Sequence, residues 1–299
     1  MAGQQPSTIQ GAEPTVRRVE RGKEAFGANH QTELARLVEA SLSMRAEVSE
    51  RAAGLIRRAN EPIQRLLEND PAAKAALVNL RELRLTSLEA SLRSRGAQRT
   101  FGGSETPSLI PNLHRGVNVF GSPFDLQWTG PNHGDVQASA NRLNGATTVF
   151  LPGGQGGARW ATAGIGLALA AAATGVVHVR PSWQYEYRAQ AEGHWLDSRT
   201  EGSARVVIQD AVTGEVLNQK GSVESLWNFR NDRSDDQWGY IDSWALGADA
   251  FVHAGQNFTV SFLANAMVDD SGSYFFGFSI AAAQLEMRLM YVVAELGPS

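Results

Sequence analysis

The chain has 299 residues, of which 42% are hydrophobic and 19% are charged, and its formal net charge is −4. These values are ordinary for a globular protein of one large or two average domains. The absence of cysteine excludes disulfides, cysteine zinc sites, iron–sulfur clusters and thiol nucleophiles.

The charge is divided unevenly along the chain. Residues 1–99 carry 16 Lys and Arg against 12 Asp and Glu, a net charge of +4. Residues 100–299 carry 11 against 19, a net charge of −8. The first part is only mildly basic and the second would repel a phosphate backbone, so we expect no nucleic-acid partner.

The N-terminal residues 1–30 are polar and lack the apolar core of a secretory signal. We predict a flexible polar arm here. The missing signal favours the cytoplasm, with export by a non-classical route as the alternative, so the compartment stays open.

Residues 31–97 have helical spacing of their apolar side chains. Pro62 should end the first helix, and Asp70 and Pro71 are a typical N-cap and first helical residue for a second one that ends at Gly96. Two helices with a short connection predict an antiparallel helical hairpin. Within the first helix, Glu47 and Arg51 are spaced to pair one turn apart.

The apolar stripes of these helices need cover, because two helices alone bury little surface. We predict a homo-oligomer, or another protein partner, at this region, and docking against the chain's own C-terminal part is the alternative. The residues expected at the contact are Leu34, Leu37, Val38, Leu42, Leu77, Leu80, Leu88 and Leu92.

A Gly- and Pro-containing linker is predicted at 98–116, followed by a β domain at 117–299. Apolar and polar residues alternate over 177–189, which predicts a half-buried strand, and Pro181 indicates an edge position or a bulge. Further strands are predicted at 116–120, 136–141, 147–151, 204–210, 258–264 and 284–294. We therefore expect an α+β multidomain chain, with the helical hairpin followed by an antiparallel, jelly-roll-like β-sandwich. The strand order cannot be derived from the pattern.

Residues 161–177, ATAGIGLALAAAATGVV, form a long uncharged segment. A membrane-spanning helix needs about 20 strongly apolar residues, and this run is rich in Ala and Gly, so we expect no membrane span. Its odd positions are bulky from Ile165 to Leu169, whereas Gly164, Gly166 and Ala168 are small. The pattern predicts a strand with one bulky face and one bare face that another layer approaches closely.

Catalytic motifs are missing from the sequence. The glycine-rich segment 151–160 lacks the Lys-Ser/Thr of a phosphate loop, no GxSxG elbow is present, and the six histidines form no HxH or HExxH pair. We therefore expect a protein that is not an enzyme and that needs no cofactor.

Two acidic clusters and two aromatic residues are the candidate ligand groups. Calcium is the alternative to solvated loops for the acidic residues. Trp238 and Tyr240, beside Asp235 and Asp236, could stack on a sugar ring and hydrogen-bond to it, with packing at a sandwich end as the alternative. The candidate calcium ligands are Asp232, Asp235, Asp236, Asp269 and Asp270.

Together these patterns predict a non-enzymatic structural, assembly or interaction protein that oligomerises or docks through its N-terminal helices and presents a β-sandwich. A lectin-like, carbohydrate-binding module, with or without calcium, is the alternative. A glycan hydrolase and a toxin component are lesser alternatives. The identity of the partner or ligand, the oligomeric state and the organism do not follow from the sequence.

Overall fold

The computed structural model of this protein describes most of residues 117–297 and selected positions before them. The described residues are 16–18, 35–40, 43–44, 47, 51, 55, 58, 61, 70–72, 75–76, 78–79, 82–83, 117–130, 132–154, 156–194, 198–218, 222–241, 246–270 and 278–297. Within them, 67% of the residues lie in strands, so the fold is nearly all β.

Thirteen strands occur in the described part of the chain. They are β1 (Val16–Arg18), β2 (Val117–Gly121), β3 (Leu126–Thr129), β4 (Gln137–Asn141), β5 (Ala146–Leu151), β6 (Ala158–Ala171), β7 (Gly175–His194), β8 (Arg199–Asp210), β9 (Ser222–Arg230), β10 (Arg233–Ile241), β11 (Ala248–Val252), β12 (Asn257–Asp269) and β13 (Phe278–Gly297).

The strands form two antiparallel sheets. Sheet A has the order β1-β6-β12-β8-β9, and β3 also pairs with β6. Sheet B has the order β10-β7-β13-β5-β4, with β11 pairing with β7 and β2 with β13. From β5 onwards the chain crosses between the sheets at most connections, as in Greek-key and jelly-roll sandwiches. The predicted antiparallel β-sandwich is therefore confirmed.

The predicted α+β architecture with a helical hairpin over 31–97 is wrong. The described residues are nearly all β, and the helix among them comprises one short segment, 35–40, and further helical positions between 43 and 83. Val38 in this segment is only 2% exposed and packs on sheet A. Val38 and, in part, Leu37 are thus covered by the β domain rather than by a second helix.

Two local helix predictions are confirmed by individual contacts. The Asp70 carboxylate accepts a hydrogen bond from the Ala72 backbone N–H at 3.0 Å, the geometry of an N-cap. Glu47 and Arg51 form an exposed ion pair of 3.6 Å. The predicted linker 98–116 lies outside the described residues, and within the predicted arm β1 pairs with β6.

The uncharged segment 161–177 forms most of β6 and the first residues of β7. Ile165, Leu167 and Leu169 point between the sheets and are at most 1% exposed. They belong to the same core cluster as large side chains of other strands, among them Trp183 and Phe262. The rings of Trp183 and Phe262 contact each other edge to face, with their centroids 6.0 Å apart. In the described part of the chain, no helix is both long and apolar enough to cross a bilayer.

The strand predicted from the alternation over 177–189 is β7, and it is central in sheet B. Pro181 lies between the residues that pair with β11 and those that pair with β10, so its missing N–H breaks no ladder bond on that side. On the other side, β13 has a bulge between Leu289 and Tyr291. The bulge that Pro181 indicated is therefore present, in the partner strand.

This bulge also corrects the predicted alternation of β13. Residues at odd positions are buried up to Leu289, but beyond the bulge Val292 and Ala294 are buried instead. Strands β1, β3, β9, β10 and β11 were not predicted. Most of the acidic segment 231–242 is not a loop, because residues 233–241 form β10.

Glycines paired with aromatic residues recur in both sheets. Gly164 pairs with Trp128, Gly202 with Trp227 and Gly239 with Tyr185. A methyl group on Gly164 would lie 2.6 Å from two atoms of the Trp128 indole, and one on Gly202 would overlap the ring of Trp227. Each ring thus occupies the space that the glycine leaves on the neighbouring strand. The bare face of β6 is approached closely, as predicted, but by Trp128 and Leu126 of the paired strand β3 rather than by another layer.

We expect Gly164→Ala to lower the free energy of unfolding by about 1–3 kcal/mol, because Trp128 and Leu263 leave no room for a methyl group. Gly121→Ala is the matched control, since nothing lies within 4 Å of a methyl group at that strand position. Urea unfolding of both variants checks this. Equal stabilities of the two variants would contradict the packing argument.

Candidate functional site

The outer faces of the two sheets differ in exposure. On sheet A, the outward-facing side chains of β6 and β12 are buried, including Thr162, Thr259 and Leu263. On sheet B, by contrast, Trp238 and Tyr240 are 62% and 63% exposed. The candidate binding groups therefore lie on the open side of the sandwich.

Strand β10 places Trp238 and Tyr240 side by side. The strand pairs with β7 along its whole length and has no partner among the described strands on its other edge. Because side chains alternate along a strand, Asp236, Trp238 and Tyr240 point outwards together. The two rings make an edge-to-face contact at 6.1 Å with an interplanar angle of 80°, which leaves the face of at least one ring open to a ligand.

Asp235, predicted to belong to the same group, points to the inner face of β10. Its carboxylate accepts a hydrogen bond from the buried Tyr187 hydroxyl at 3.0 Å and is also contacted by the Gln237 amide at 3.1 Å. Burial, with the hydrogen bond to Asp235, raises the pKa of Tyr187 above its ordinary value. Asp235 therefore fastens β10 to the core rather than facing a ligand.

An aromatic stack supports β10 from inside the sandwich. Tyr185 fills the space above Gly239, and a methyl group on that glycine would lie 2.7 Å from the tyrosine hydroxyl. Tyr185 is stacked with Tyr187, and Tyr187 with Trp227 at 4.5 Å. The strand that carries the exposed pair thus rests on rigid side chains, which keeps Trp238 and Tyr240 in place.

Polar side chains of β7 lie beside the exposed pair. Glu186 is the register partner of Trp238, and Arg188 is the partner of Asp236. Arg188 donates a hydrogen bond to Glu186 at 3.0 Å and lies 3.6 Å from the carboxylate of Asp236. Arg188 thereby holds the carboxylates of Glu186 and Asp236 in place, and the three side chains form a polar row beside Trp238.

Strand β13 extends this polar row. Glu286 pairs with Glu186 across the strands and accepts a hydrogen bond from the Gln284 amide at 2.7 Å. Burial raises the pKa of Glu286, and the neighbouring Glu186 carboxylate adds to the rise. The alternation of β7 and β13 in the sequence already placed these residues on the polar face, but only the sheet order brings them beside Trp238.

The candidate calcium ligands lie in three different settings. Asp232 is in the turn between β9 and β10, with a φ of 46°. Asp235 and Asp236 lie on opposite faces of β10, and Asp269 and Asp270 are at the end of β12 in sheet A. No group of three His, Asp or Glu side chains suited to a metal ion occurs among the described residues.

Asp270 forms an ion pair inside the protein. It is 0% exposed and lies 2.8 Å from the guanidinium of Arg159, itself 3% exposed. The same carboxylate oxygen accepts a hydrogen bond from the Gly154 N–H at 2.8 Å, and Arg159 also contacts the carbonyl of Pro152. Burial raises the pKa of Asp270, and Arg159 opposes the rise. The pair fastens the glycine-rich segment after β5, which is a structural role.

Comparisons with known proteins add no family. No family model and no curated protein matches the chain. A structure of infectious bursal disease virus, Gt strain, is 11% identical, with 67% of this chain and 47% of that chain covered and a TM-score of 0.16. A VP2 subviral particle of the same virus is also 11% identical, with 66% of this chain and 46% of that chain covered and a TM-score of 0.16.

A third solved structure is the GH31 α-xylosidase from Xanthomonas citri. It is 9% identical, with 47% of this chain and 12% of that chain covered and a TM-score of 0.12. The chain thus spans less than half the length of each of these proteins. TM-scores this low support no argument about function.

We expect Asp270→Ala to destabilise the protein by about 3–5 kcal/mol, because Arg159 would be left buried without its counterion. Asp249→Ala is the control. It removes an exposed carboxylate 2.8 Å from His178, and its loss should cost no more than about 1 kcal/mol. Chemical unfolding at neutral pH measures both, and similar losses would show that the Arg159 pair does not hold the loop.

Proposed function

We propose that the chain is a non-enzymatic interaction protein whose β-sandwich binds a glycan through the outer face of sheet B. The observation that supports this most is the exposed Trp238 and Tyr240 pair on a strand that the core holds rigidly. Flat, exposed aromatic rings stack on the apolar face of a sugar ring, and neighbouring polar groups bind its hydroxyls.

The composition of the face favours a glycan over a protein partner. The cores of protein–protein interfaces are depleted of charged residues. Beside Trp238 the outer face carries Glu186, Arg188, Asp236 and Glu286, fixed by hydrogen bonds and ion pairs. Charged groups held in place in this way suit a ligand with many hydroxyls, which can both donate and accept hydrogen bonds.

We expect Trp238→Ala to abolish binding on a glycan array and Tyr240→Ala to weaken it, because each removes a stacking surface. Phe251→Ala is the matched control. Phe251 is 48% exposed on the same outer face but on β11. Its partner Val176 lies about 26 Å along β7 from Gln184, the partner of Tyr240. Circular dichroism checks folding. The proposal fails if the full-length protein binds no glycan or if all three variants bind alike, and turnover of a bound glycan would indicate a hydrolase instead.

A second candidate function is assembly through the N-terminal region. Met44, Leu55 and Leu83 are 69%, 67% and 69% exposed there, and Val78 is 44% exposed. Exposed apolar side chains at helical positions are typical of surfaces that pair with another chain. We propose that a second copy of this chain covers them. Of the residues expected at this contact, Val38 is already buried within the chain and Leu37 is partly buried, while Leu34, Leu42, Leu77, Leu80, Leu88 and Leu92 lie outside the described residues.

We expect the double variant Leu55→Glu, Leu83→Glu to reduce the molar mass measured by light scattering towards that of a monomer, because the added charges oppose burial. Leu143→Glu is the matched control, since Leu143 is equally exposed, at 67%, but lies between β4 and β5. A monomeric full-length protein, or an oligomer that the double variant leaves unchanged, would contradict assembly through this region.

A further inference from the structure

A cleft crosses three strands on the outer face of sheet A, at the end of the sheet where β9 forms the edge. Its volume is about 310 Å³, at the lower end of the range for small-molecule sites. Outward-facing side chains of β8, β9 and β12 line it, among them Arg199, Glu201, Ser203, Ser225 and Asn265.

The cleft results from an irregularity in the pairing of β8 and β9. Their register shifts between Gly202 and Ser203, where β9 has an extra residue, Leu226. A bulge of this kind bends a strand locally and redirects its side chains. Trp227 fills the space at Gly202 on the inner face. On the outer face the paired residues beside the shift, Ser203 and Ser225, have small side chains and leave the surface open.

Two polar groups that line the cleft are buried without a hydrogen-bond partner. Asn265 is 6% exposed, and its Oδ1 has no partner among the described residues; the same holds for Nε of Arg199. Burying such groups unpaired is costly, and native proteins usually satisfy them with a ligand, an ion or water. Asn265 Oδ1 needs a donor and Arg199 Nε needs an acceptor, so a matching ligand must offer both.

The charge of the cleft favours an uncharged ligand. Arg199 forms an ion pair with Glu201, whose side chain is only 8% exposed, so the two charges cancel within the cleft. Ser203, Ser225 and Asn228 add hydroxyl and amide groups that donate and accept hydrogen bonds. A hydroxyl likewise donates and accepts, whereas a carboxylate or phosphate only accepts.

We infer that this cleft binds a neutral, hydroxyl-rich molecule of monosaccharide size. The site lies on sheet A and shares no residue with the Trp238 and Tyr240 face of sheet B. It therefore goes beyond the proposed function and does not depend on it. The sequence gives no signal for it, because its residues come from three strands that only the fold brings together.

Isothermal titration of the full-length protein with D-glucose, D-galactose, D-mannose and N-acetylglucosamine tests the inference, with sodium phosphate and sodium acetate as charged comparisons. We expect at least one sugar to bind and neither charged compound to do so. Asn265→Leu should weaken sugar binding about tenfold, since it replaces a hydrogen-bond acceptor with an apolar side chain of similar size. The variant should fold, because Oδ1 of Asn265 has no partner to lose.

Ser225→Leu is a second variant that fills the cleft from the exposed edge strand without altering a buried group, and it should also weaken binding. Trp238→Ala should leave this binding unchanged, which separates the cleft from the face of sheet B. The inference is overturned if no sugar binds at millimolar concentration, if phosphate or acetate binds more tightly, or if Ser225→Leu binds like the unaltered protein.

Discussion

The burial of β6 on both of its faces is the constraint on which the rest of the structure depends. Its bulky side faces sheet B, with Ile165, Leu167 and Leu169 at most 1% exposed. Its bare side is covered by Trp128 and by the helical segment that carries Val38. A strand with apolar side chains on both faces must be shielded from water on both sides. Sheet A is therefore packed against sheet B on one face, and most of its other face is buried beneath Trp128 and the segment that carries Val38.

Glycine–aromatic pairs let this closure occur at close range. Side chains on a pleated sheet normally hold the next layer away, but at Gly164 and Gly239 an aromatic ring of the paired strand takes the empty space. The same arrangement joins Gly202 to Trp227, and from there the stack runs through Tyr187 to the base of β10. The packing that closes the core thus also gives the exposed Trp238 and Tyr240 pair a rigid support.

The outer faces of the two sheets differ in the side chains that they expose. Apolar and buried polar groups cover sheet A, apart from the cleft at β8, β9 and β12. On sheet B the aromatic rings of Trp238 and Tyr240 are exposed beside a row of paired charges, of which Arg188 and Glu186 are only 11% and 14% exposed. The acidic residues near these sites are mostly used within the protein: Asp235 fastens a strand, and Asp270 fastens a loop.

The sequence by itself determined the β character of the described part of 117–297, many of the strands, the extended state of 161–171 and 175–177, and the outward placement of the polar residues of β7. These follow from alternation with a period of two and from glycine positions, which are local properties of the chain. Only the tertiary structure decided that the described residues are nearly all β, without a helical hairpin among them, that residues 233–241 are a strand, and which side of it Asp235 takes. Each of these depends on which distant residues supply cover or hydrogen bonds: sheet A for Val38, β7 for β10, and Tyr187 for Asp235. Local spacing does not encode those partners.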